Sequence, residues 1–480
     1  MRQPKALVIL FLTEMWERYG FYIIQILLTL YLAHVLLYSD SHAYAIAGSY
    51  AALVYISPLL GGYLANNLLG YRRSILLGGV LLSVGYGILA MHGYTMYWGL
   101  ATVVLGNGFF KPNISSFLGN FYEEGDSRRE SGFTIFYVGI NLGGLIGTST
   151  SSYIQSWLGF HASYAMASVG MILGLITFIF GRRHFQAKGL IPETQLPESL
   201  TWMSQPAIFA VILLVMLVVI RQVLESATIA AVLLSIVAVI TLSVLIYQGL
   251  RFDRYWRNRL FALIILIIIA TLYWALFFEQ FDVINLFIDR AVNKTVLGIN
   301  IPTGAYISFE QFFVIVLGPL MAWYWSYLQK KQSNPRAPIK FAASMLFMTV
   351  AFAILYFASF VVNSRFMVSG SWVILTYAFI ALSEMFISPI GLSIVTELAH
   401  PKLVGLLMGV WFMSIGFGGK LAGAIATFGV VPKSVVKMSD LNAIYQHAFF
   451  WYMIIGGVLS MLIFLMVPFL NKLMSGSHQR

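Results

Sequence analysis

Three charged residues lie close together near the start of the chain, inside its first long apolar run. Glu14, Glu17 and Arg18 are spaced so that Glu14 and Arg18 become i,i+4 partners in a helix. Each charge would cost roughly 2.5–3.5 kcal/mol at the centre of a bilayer. Tyr22 and Gln25 continue the same polar face. The pattern favours a charged cluster that faces a water-filled pathway. The alternative is an ion pair at a helix end that reaches the headgroups.

Two further cations lie inside apolar runs, where lipid rejects charge. Lys111 belongs to the fourth run and can pair with Glu14 or Glu17 in the first. Because Pro112 and a polar loop follow, Lys111 could instead reach the membrane interface. Lys420 lies within a run near the C-terminus.

Three more carboxylates are candidates for buried charge, all in the second half of the chain. Glu384 stands in the middle of an apolar run, one turn before Ser388 and Pro389. Pro389 frees a backbone carbonyl there, which indicates a broken helix that lines a cavity. Glu279 lies inside another run, whereas Glu310 opens the next one and fits an interfacial carboxylate as well as a site residue. Burial and a nearby cation together set the proton affinity of such a group, and proton coupling requires that affinity to change when the partner leaves.

The composition indicates a membrane protein. Hydrophobic residues make up 59% of the 480 residues and charged residues 10%, against about 25% charged residues in soluble domains. Apolar runs of about 20 residues recur, which is typical of a polytopic helical protein. The net charge of +11 therefore reflects topology and not a nucleic-acid surface. Cysteine is absent, and no phosphate-binding glycine loop, metal-ligand cluster or nucleophile elbow occurs, so we expect no cofactor, no metal and no enzyme.

The apolar runs predict fourteen helices, grouped as six, two and six. We expect residues 1–181 to form an N-terminal six-helix bundle, 182–259 a linker with an accessory transmembrane hairpin, and 260–480 a C-terminal six-helix bundle. The basic run 251–259 should lie against anionic headgroups. Two repeated halves of this kind are a secondary-transporter architecture. The candidate spans are 6–33, 43–69, 74–92, 95–118, 131–155, 162–181, 205–222, 227–249, 260–288, 306–328, 339–362, 370–397, 403–430 and 443–470.

The distribution of basic residues predicts the orientation. Most of the 29 Lys and Arg residues fall in the segments that are cytoplasmic if the N-terminus is cytoplasmic, which agrees with positive-inside sorting. Because the number of helices is even, both termini are expected in the cytoplasm. The first apolar run is interrupted by charge and is followed by no small-residue cleavage site, so it is read as a retained helix and not as a signal peptide.

Five local patterns resemble those of one family. The sequence resembles the proton-dependent oligopeptide transporters of the major facilitator superfamily, of the bacterial type, along nearly its whole length. The patterns are Glu14-x-x-Glu17-Arg18 with the following aromatics, Phe136–Gly143, Glu384, Ser388-Pro389-x-Gly391-Leu392, and Met408-Gly409-x-Trp411-Phe412.

The resemblance implies a fold, partners and site residues. It implies an all-α polytopic membrane protein with the major facilitator fold, in a bacterial inner membrane. Its partners would be small peptides, protons and the lipid bilayer, without nucleic acid, and the protein would be a monomer. Proton coupling is implied for Glu14, Glu17, Arg18, Lys111 and Glu279. Peptide binding is implied for Tyr22, Gln25, Tyr55, Asn141, Trp274, Glu310, Glu384, Ser388 and Trp411, with Glu384 facing the peptide's amino group.

Three positions depart from the family pattern. Gln25 stands where most members have a second arginine, a replacement found in a subgroup regarded as favouring dipeptides. Glu310 aligns with the family's asparagine. Glu279 lies five residues after Trp274 instead of four, and one residue turns a side chain by about 100° around a helix, which puts its gating role in doubt.

The resulting expectation is a proton-coupled symporter of dipeptides, with tripeptides as a second substrate class. Gln25 adds no positive charge and Glu310 adds a negative one, so we expect a preference for cationic or neutral dipeptides. One alternative keeps the fold but transports nitrate or another small solute. Another is a membrane enzyme or sensor that uses the polar cavity as a ligand site.

Overall fold

The computed structural model describes residues 3–91, 95–123, 126, 128–185, 188–190 and 205–475. Arg2, Arg480 and most of the linker predicted between Arg182 and Pro206 lie outside these residues.

The described residues are almost entirely helical, because the sequence consists of long apolar runs with few breakers. The helices are α1 (Lys5–His34), α2 (Asp40–Leu64), α3 (Tyr71–Leu89), α4 (Met96–Gly119), α5 (Arg128–Leu158), α6 (Phe160–Gly181), α7 (Pro206–Glu225), α8 (Ala227–Arg251), α9 (Arg254–Phe278), α10 (Val283–Ala291), α11 (Ser308–Lys330), α12 (Ala337–Ala358), α13 (Gly370–Met385), α14 (Ser388–Leu398), α15 (Val404–Ile425) and α16 (Met438–Met474). Four two-residue strands form two small pairs: β1 (Val292–Asn293) parallel to β4 (Val368–Ser369), and β2 (Thr295–Val296) antiparallel to β3 (Ile299–Asn300).

The number of spans agrees with the sequence. Within the described residues, twelve helical segments are long and apolar enough to cross a membrane, and α9–α10 and α13–α14 each count as one interrupted span. Helices α1 and α4 are of similar length but carry the charged residues discussed above. Together they give the predicted fourteen.

The basic run at 251–259 is divided between two helices, and its predicted contact with headgroups stays a prediction. Arg251 ends α8, and Arg254 already begins α9. Asp253 explains this start, because its carboxylate accepts a hydrogen bond from the backbone N–H of Trp256 at 2.9 Å and so caps the helix.

The chain folds into two compact units. The first comprises 1–28 and 53–227, and the second comprises 29–52 and 228–480. The end of α1 and the start of α2 thus pack with the second unit. The two helices of the predicted hairpin are also divided, because α7 belongs to the first unit and α8 to the second.

Close helix packing fixes the position of α1 in the first unit. Gly143 and Gly147 of α5 face the backbone of α1, where a Cβ atom at Gly143 would lie 3.1 Å from the Cβ of Arg18, and one at Gly147 would lie 2.7 Å from the carbonyl oxygen of Tyr19. Small residues at a spacing of four allow such an approach between membrane helices. In the second unit, α12 packs against α13 and α16, and α9 packs against α15.

Candidate functional site

The charged residues of α1 and α4 form one buried cluster in the first unit. Arg18 donates to both carboxylate oxygens of Glu17, through Nε at 2.5 Å and through Nη2 at 2.6 Å. Its Nε also lies 3.8 Å from Oε1 of Glu14. The ammonium of Lys111 donates to the same Oε1, so the expected pairing of Lys111 with α1 is present. Two carboxylates thus face two cations, and each charge offsets the cost of burying another.

Asn107 connects this charged cluster to α2. Its Oδ1 accepts a hydrogen bond from Nη2 of Arg18 at 3.3 Å, and its Nδ2 donates to the carbonyl oxygen of Val54 at 2.8 Å. The sequence analysis did not identify Asn107. Its position one helical turn before Lys111 was the available signal, because residues four apart share a helix face.

Aromatic side chains continue from the charged cluster along α1. The guanidinium of Arg18 lies 4.1 Å from the ring centre of Phe21. Around Phe21 lie Tyr22, at 5.4 Å between ring centres, and Tyr55, at 6.4 Å. Gln25 is 8% exposed, and its Oε1 has no hydrogen-bond partner among the described residues.

Asn141, the remaining candidate in the first unit, forms a hydrogen bond within its own helix. Its Nδ2 donates to the carbonyl oxygen of Tyr137 at 2.9 Å. Its Oδ1 is the atom left for a ligand to use.

The second unit contains two neighbouring carboxylates, Glu310 on α11 and Glu384 on α13. Their side chains lie close enough to interact electrostatically. Glu310 is 1% exposed, which decides against an interfacial carboxylate. The side chain of Val314, one turn after Glu310, packs with Ala381 and Met385 on either side of Glu384, so these faces of α11 and α13 are in contact.

Each of these carboxylates has one neutral hydrogen-bond donor of its own. Gln311 donates to Glu310 at 2.6 Å and Ser388 donates to Glu384 at 3.3 Å. Among the described residues no cation forms an ion pair with either of them. The pair therefore has no resident cation among the described residues, and a ligand with an ammonium group can supply one.

Two polar residues beside this pair were not identified from the sequence. The hydroxyl of Tyr273 donates to Ser383 at 3.0 Å, and Ser383 donates to the carbonyl oxygen of Ile380 at 2.7 Å. Tyr273 stands next to the predicted site residue Trp274, whose ring centre is 5.2 Å away. The Nε1 of Trp274 has no hydrogen-bond partner among the described residues and is available as a donor.

Trp411 is buried in the second unit. Its ring packs against the backbone of Gly391 and lies 6.3 Å from the ring of Phe341. This contact explains why Gly391 carries no side chain, since a Cβ there would collide with the indole. Trp411 thus joins α12, α14 and α15.

Glu279 lies at the break between α9 and α10, where α9 has already ended at Phe278. Glu279 is the C-cap residue of α9 and keeps a helical backbone conformation, so the extra residue after Trp274 still turns its side chain by about 100°. Neither carboxylate oxygen of Glu279 has a hydrogen-bond partner among the described residues. Asp282, which the sequence analysis missed, is buried at the same break and accepts a hydrogen bond from Thr29 at 2.7 Å.

The helices and the buried charges define a class: a multi-pass helical membrane protein. Comparison with known proteins gives the family. Residues 72–445 match the model of the POT family, and the chain belongs to this family of peptide transporters, which have the major facilitator fold and are not enzymes.

Similar proteins cover the whole length of the chain. The dipeptide and tripeptide permease A of Yersinia pestis is 30% identical over 98% of this chain and 94% of its own length. The dipeptide and tripeptide permease B of Photorhabdus luminescens is 29% identical over 99% of this chain and 98% of its own length. Among solved structures, a peptide transporter POT in complex with sulfate superimposes with a TM-score of 0.86 at 29% identity, covering 99% of this chain and 96% of that one. The structure of tetrameric PepTSo2 superimposes with a TM-score of 0.84 at 25% identity, covering 98% of this chain and 99% of that one.

Proposed function

We propose that this protein is a proton-coupled symporter that imports dipeptides, with tripeptides as a second class, by alternating access. The observation that carries the proposal is the buried cluster of Glu14, Glu17, Arg18 and Lys111, in which two carboxylates face two cations. Adding one proton to either carboxylate leaves one cation uncompensated, and the cost of a buried unpaired charge favours rearrangement. The names of the similar permeases support small peptides as the cargo.

Within this proposal each unit contributes its own residues to peptide binding. Those of the first unit are Tyr22, Gln25, Tyr55 and Asn141, and those of the second are Trp274, Glu310, Glu384, Ser388 and Trp411. Glu384 binds the amino group of the peptide. Glu279 joins the proton-coupling residues because a buried carboxylate without a hydrogen-bond partner has most to gain from a proton.

The proposed substrate preference follows from Glu310 and Glu384. With no cation paired to them among the described residues, a positively charged peptide group is the natural counter-ion. A dipeptide with a lysine side chain offers two such groups, so cationic and neutral dipeptides are preferred over acidic ones.

The remaining proposals concern location and assembly. The transporter acts as a monomer in a bacterial inner membrane with both termini in the cytoplasm. Along the chain, 1–181 forms the N-terminal bundle, 182–259 contains the hairpin and 260–480 forms the C-terminal bundle.

Uptake of labelled dipeptides into proteoliposomes tests the function. We expect accumulation with an inward proton gradient, little without it, and competition by unlabelled dipeptides. If the protein took up another small solute and peptides did not inhibit that uptake, the result would contradict the proposal. It would favour the alternative, a transporter of nitrate or another small solute.

A further inference from the structure

A cavity of about 490 Å³ lies inside the second unit, between α8, α9 and α15. Its size falls within the range of ligand pockets, about 300–1,000 Å³. Helix α8 contributes residues that recur every three to four positions, among them Ala231, Leu234, Ala238 and Leu245, and so presents one continuous face. Because several of these side chains are small, α8 leaves space in front of α9 and α15.

Of the residues that line this mostly apolar cavity, only Lys420 of α15 is charged. Its ammonium donates a hydrogen bond to the hydroxyl of Ser49 at 2.9 Å, and Ser49 in turn donates to the carbonyl oxygen of Ala45 at 2.7 Å. Within the described part of the chain Lys420 forms no ion pair with a carboxylate. An uncompensated cation in a membrane-spanning helix is energetically costly. A negatively charged group bound in the cavity would lower this cost.

The depth of Lys420 limits what can supply that group. Lys420 lies five residues before the end of α15 at Ile425, which is about 8 Å along the helix axis. A phospholipid phosphate stays outside the hydrocarbon layer, which is about 30 Å thick. A carboxylate at the end of a single acyl chain can lie deeper when a cation meets it.

We propose that the cavity between α8, α9 and α15 binds a long-chain fatty acid, with its carboxylate on the ammonium of Lys420 and its acyl chain along the face of α8. The carboxylate replaces Ser49 as the partner of Lys420. This site is separate from the residues assigned to protons and peptides, and it gives α8 a ligand-binding role.

The test uses the full chain in nanodiscs of zwitterionic lipid at mildly alkaline pH. The probes are stearate with a nitroxide on its chain and the methyl ester of the same molecule. Electron paramagnetic resonance measures the fraction of probe that is immobilised. We expect the acid to bind about tenfold more tightly than the ester, as for a hydrogen bond to a charged group.

Variants locate the site. Lys420→Met keeps an unbranched side chain of nearly the same length, and it should remove the preference for the acid while leaving ester binding unchanged. Ala238→Phe fills the cavity and should reduce the binding of both probes. Ser49→Ala, the matched control, should leave the preference intact because the carboxylate replaces this hydroxyl.

Two results would overturn the proposal. One is equal immobilisation of acid and ester by the unmodified protein, a comparison that needs no variant to fold. The other is a preference for the acid that survives Lys420→Met. Native mass spectrometry tests for a phospholipid in the same place. If a phosphatidylglycerol stays bound to the unmodified protein but not to Lys420→Met, and the protein does not distinguish the two probes, the cavity binds a phospholipid instead.

Discussion

Glu14 and Glu17 differ in their hydrogen bonds although they lie one turn apart and both face Arg18. Glu17 accepts two hydrogen bonds from Arg18, whereas Glu14 meets Lys111 through Oε1 alone. The Oε2 of Glu14 has no partner among the described residues. Because its interactions are fewer, Glu14 is the carboxylate that can accept a proton with the smaller loss of hydrogen bonds.

We predict that Glu14→Gln and Glu17→Gln each abolish gradient-driven accumulation of dipeptide but leave part of the peptide counterflow. The amide keeps the shape of the site but cannot change protonation. Both activities are measured in proteoliposomes. Glu225→Gln, which removes a more exposed partner of Arg221 on α7, is the control and should behave like the unmodified protein. Full accumulation by both cluster variants would contradict the prediction.

Glu384→Gln should weaken the binding of peptides with a free amino group about tenfold or more, because a hydrogen bond to a charged group contributes about 1.5–3 kcal/mol. Peptides with a blocked amino group should lose much less affinity. Competition for labelled dipeptide uptake measures both. Equal losses for free and blocked peptides would show that Glu384 does not bind the amine.

The substrate preference should depend on Gln25 and Glu310. Lysine-containing dipeptides should compete better than alanine-containing ones, and glutamate-containing ones worst. Gln25→Arg adds a positive charge and Glu310→Asn removes a negative one, so each should reduce the advantage of the lysine peptides. Matched Lys-, Ala- and Glu-dipeptides in the uptake assay give the ranking. A ranking without cationic preference, or one that neither substitution changes, would contradict the electrostatic argument.

Sequence reasoning identified charged residues whose own type is out of place and the pairing between them, but not the neutral polar residues that contact them. Glu14, Lys111 and Glu384 are recognisable because charge inside an apolar run is costly. Asn107 and Tyr273 are not, because a polar side chain of this kind can point anywhere on its helix. Their importance depends on contacts with Arg18 and Ser383, which lie about ninety and more than a hundred residues away, and a single sequence does not contain that information.

At the scale of the helices, the close approach of α5 to α1 positions Arg18. We predict that Gly143→Leu pushes α1 away and destabilises the protein by about 1–3 kcal/mol, the usual cost of overpacking. Thermal unfolding in detergent measures the loss. Gly318→Leu is the matched control, since a side chain at Gly318 meets no other atom within 4 Å. Equal stability of the two variants would contradict a packing role for Gly143.

The spans were predictable, but only one of their two interruptions was. Hydrophobic length is a local property, so the number of helices follows from the sequence. Pro389 marks the break between α13 and α14, because proline cannot continue the hydrogen-bond ladder. The break after Phe278 contains neither proline nor glycine. There Asp282 is held by a tertiary contact with Thr29, which the sequence does not reveal.

At the scale of the whole molecule, the segment 29–52 belongs to the second unit although it connects two helices of the first. Arg290 binds this segment near its middle, where it donates to both oxygens of Asp40 at 2.7 and 2.8 Å. The backbone N–H of Val431 also donates to Asp40, at 3.1 Å. Asp40 is buried, so loss of Arg290 leaves a largely uncompensated charge.

We therefore predict that Arg290→Gln increases the hydrogen exchange of backbone amides in 29–52 while the exchange of α5 stays unchanged. Hydrogen–deuterium exchange with mass spectrometry on the purified protein gives both rates. Arg221→Gln, which breaks the more exposed pair with Glu225, should have no effect on 29–52. Unchanged exchange in the Arg290 variant would show that other contacts hold the segment.

The attachment of this segment also bears on the speed of transport. Residues 29–52 contact the second unit through Asp40, through Thr29 on Asp282 and through Ser49 on Lys420, while α1 and α2 join them covalently to the first. A conformational cycle must either bend both helices or break these bonds and make them again at every turnover. The activation enthalpy of transport would then include the enthalpy of breaking these hydrogen bonds. We expect a variant that weakens one of them to transport faster than the unmodified protein at low temperature.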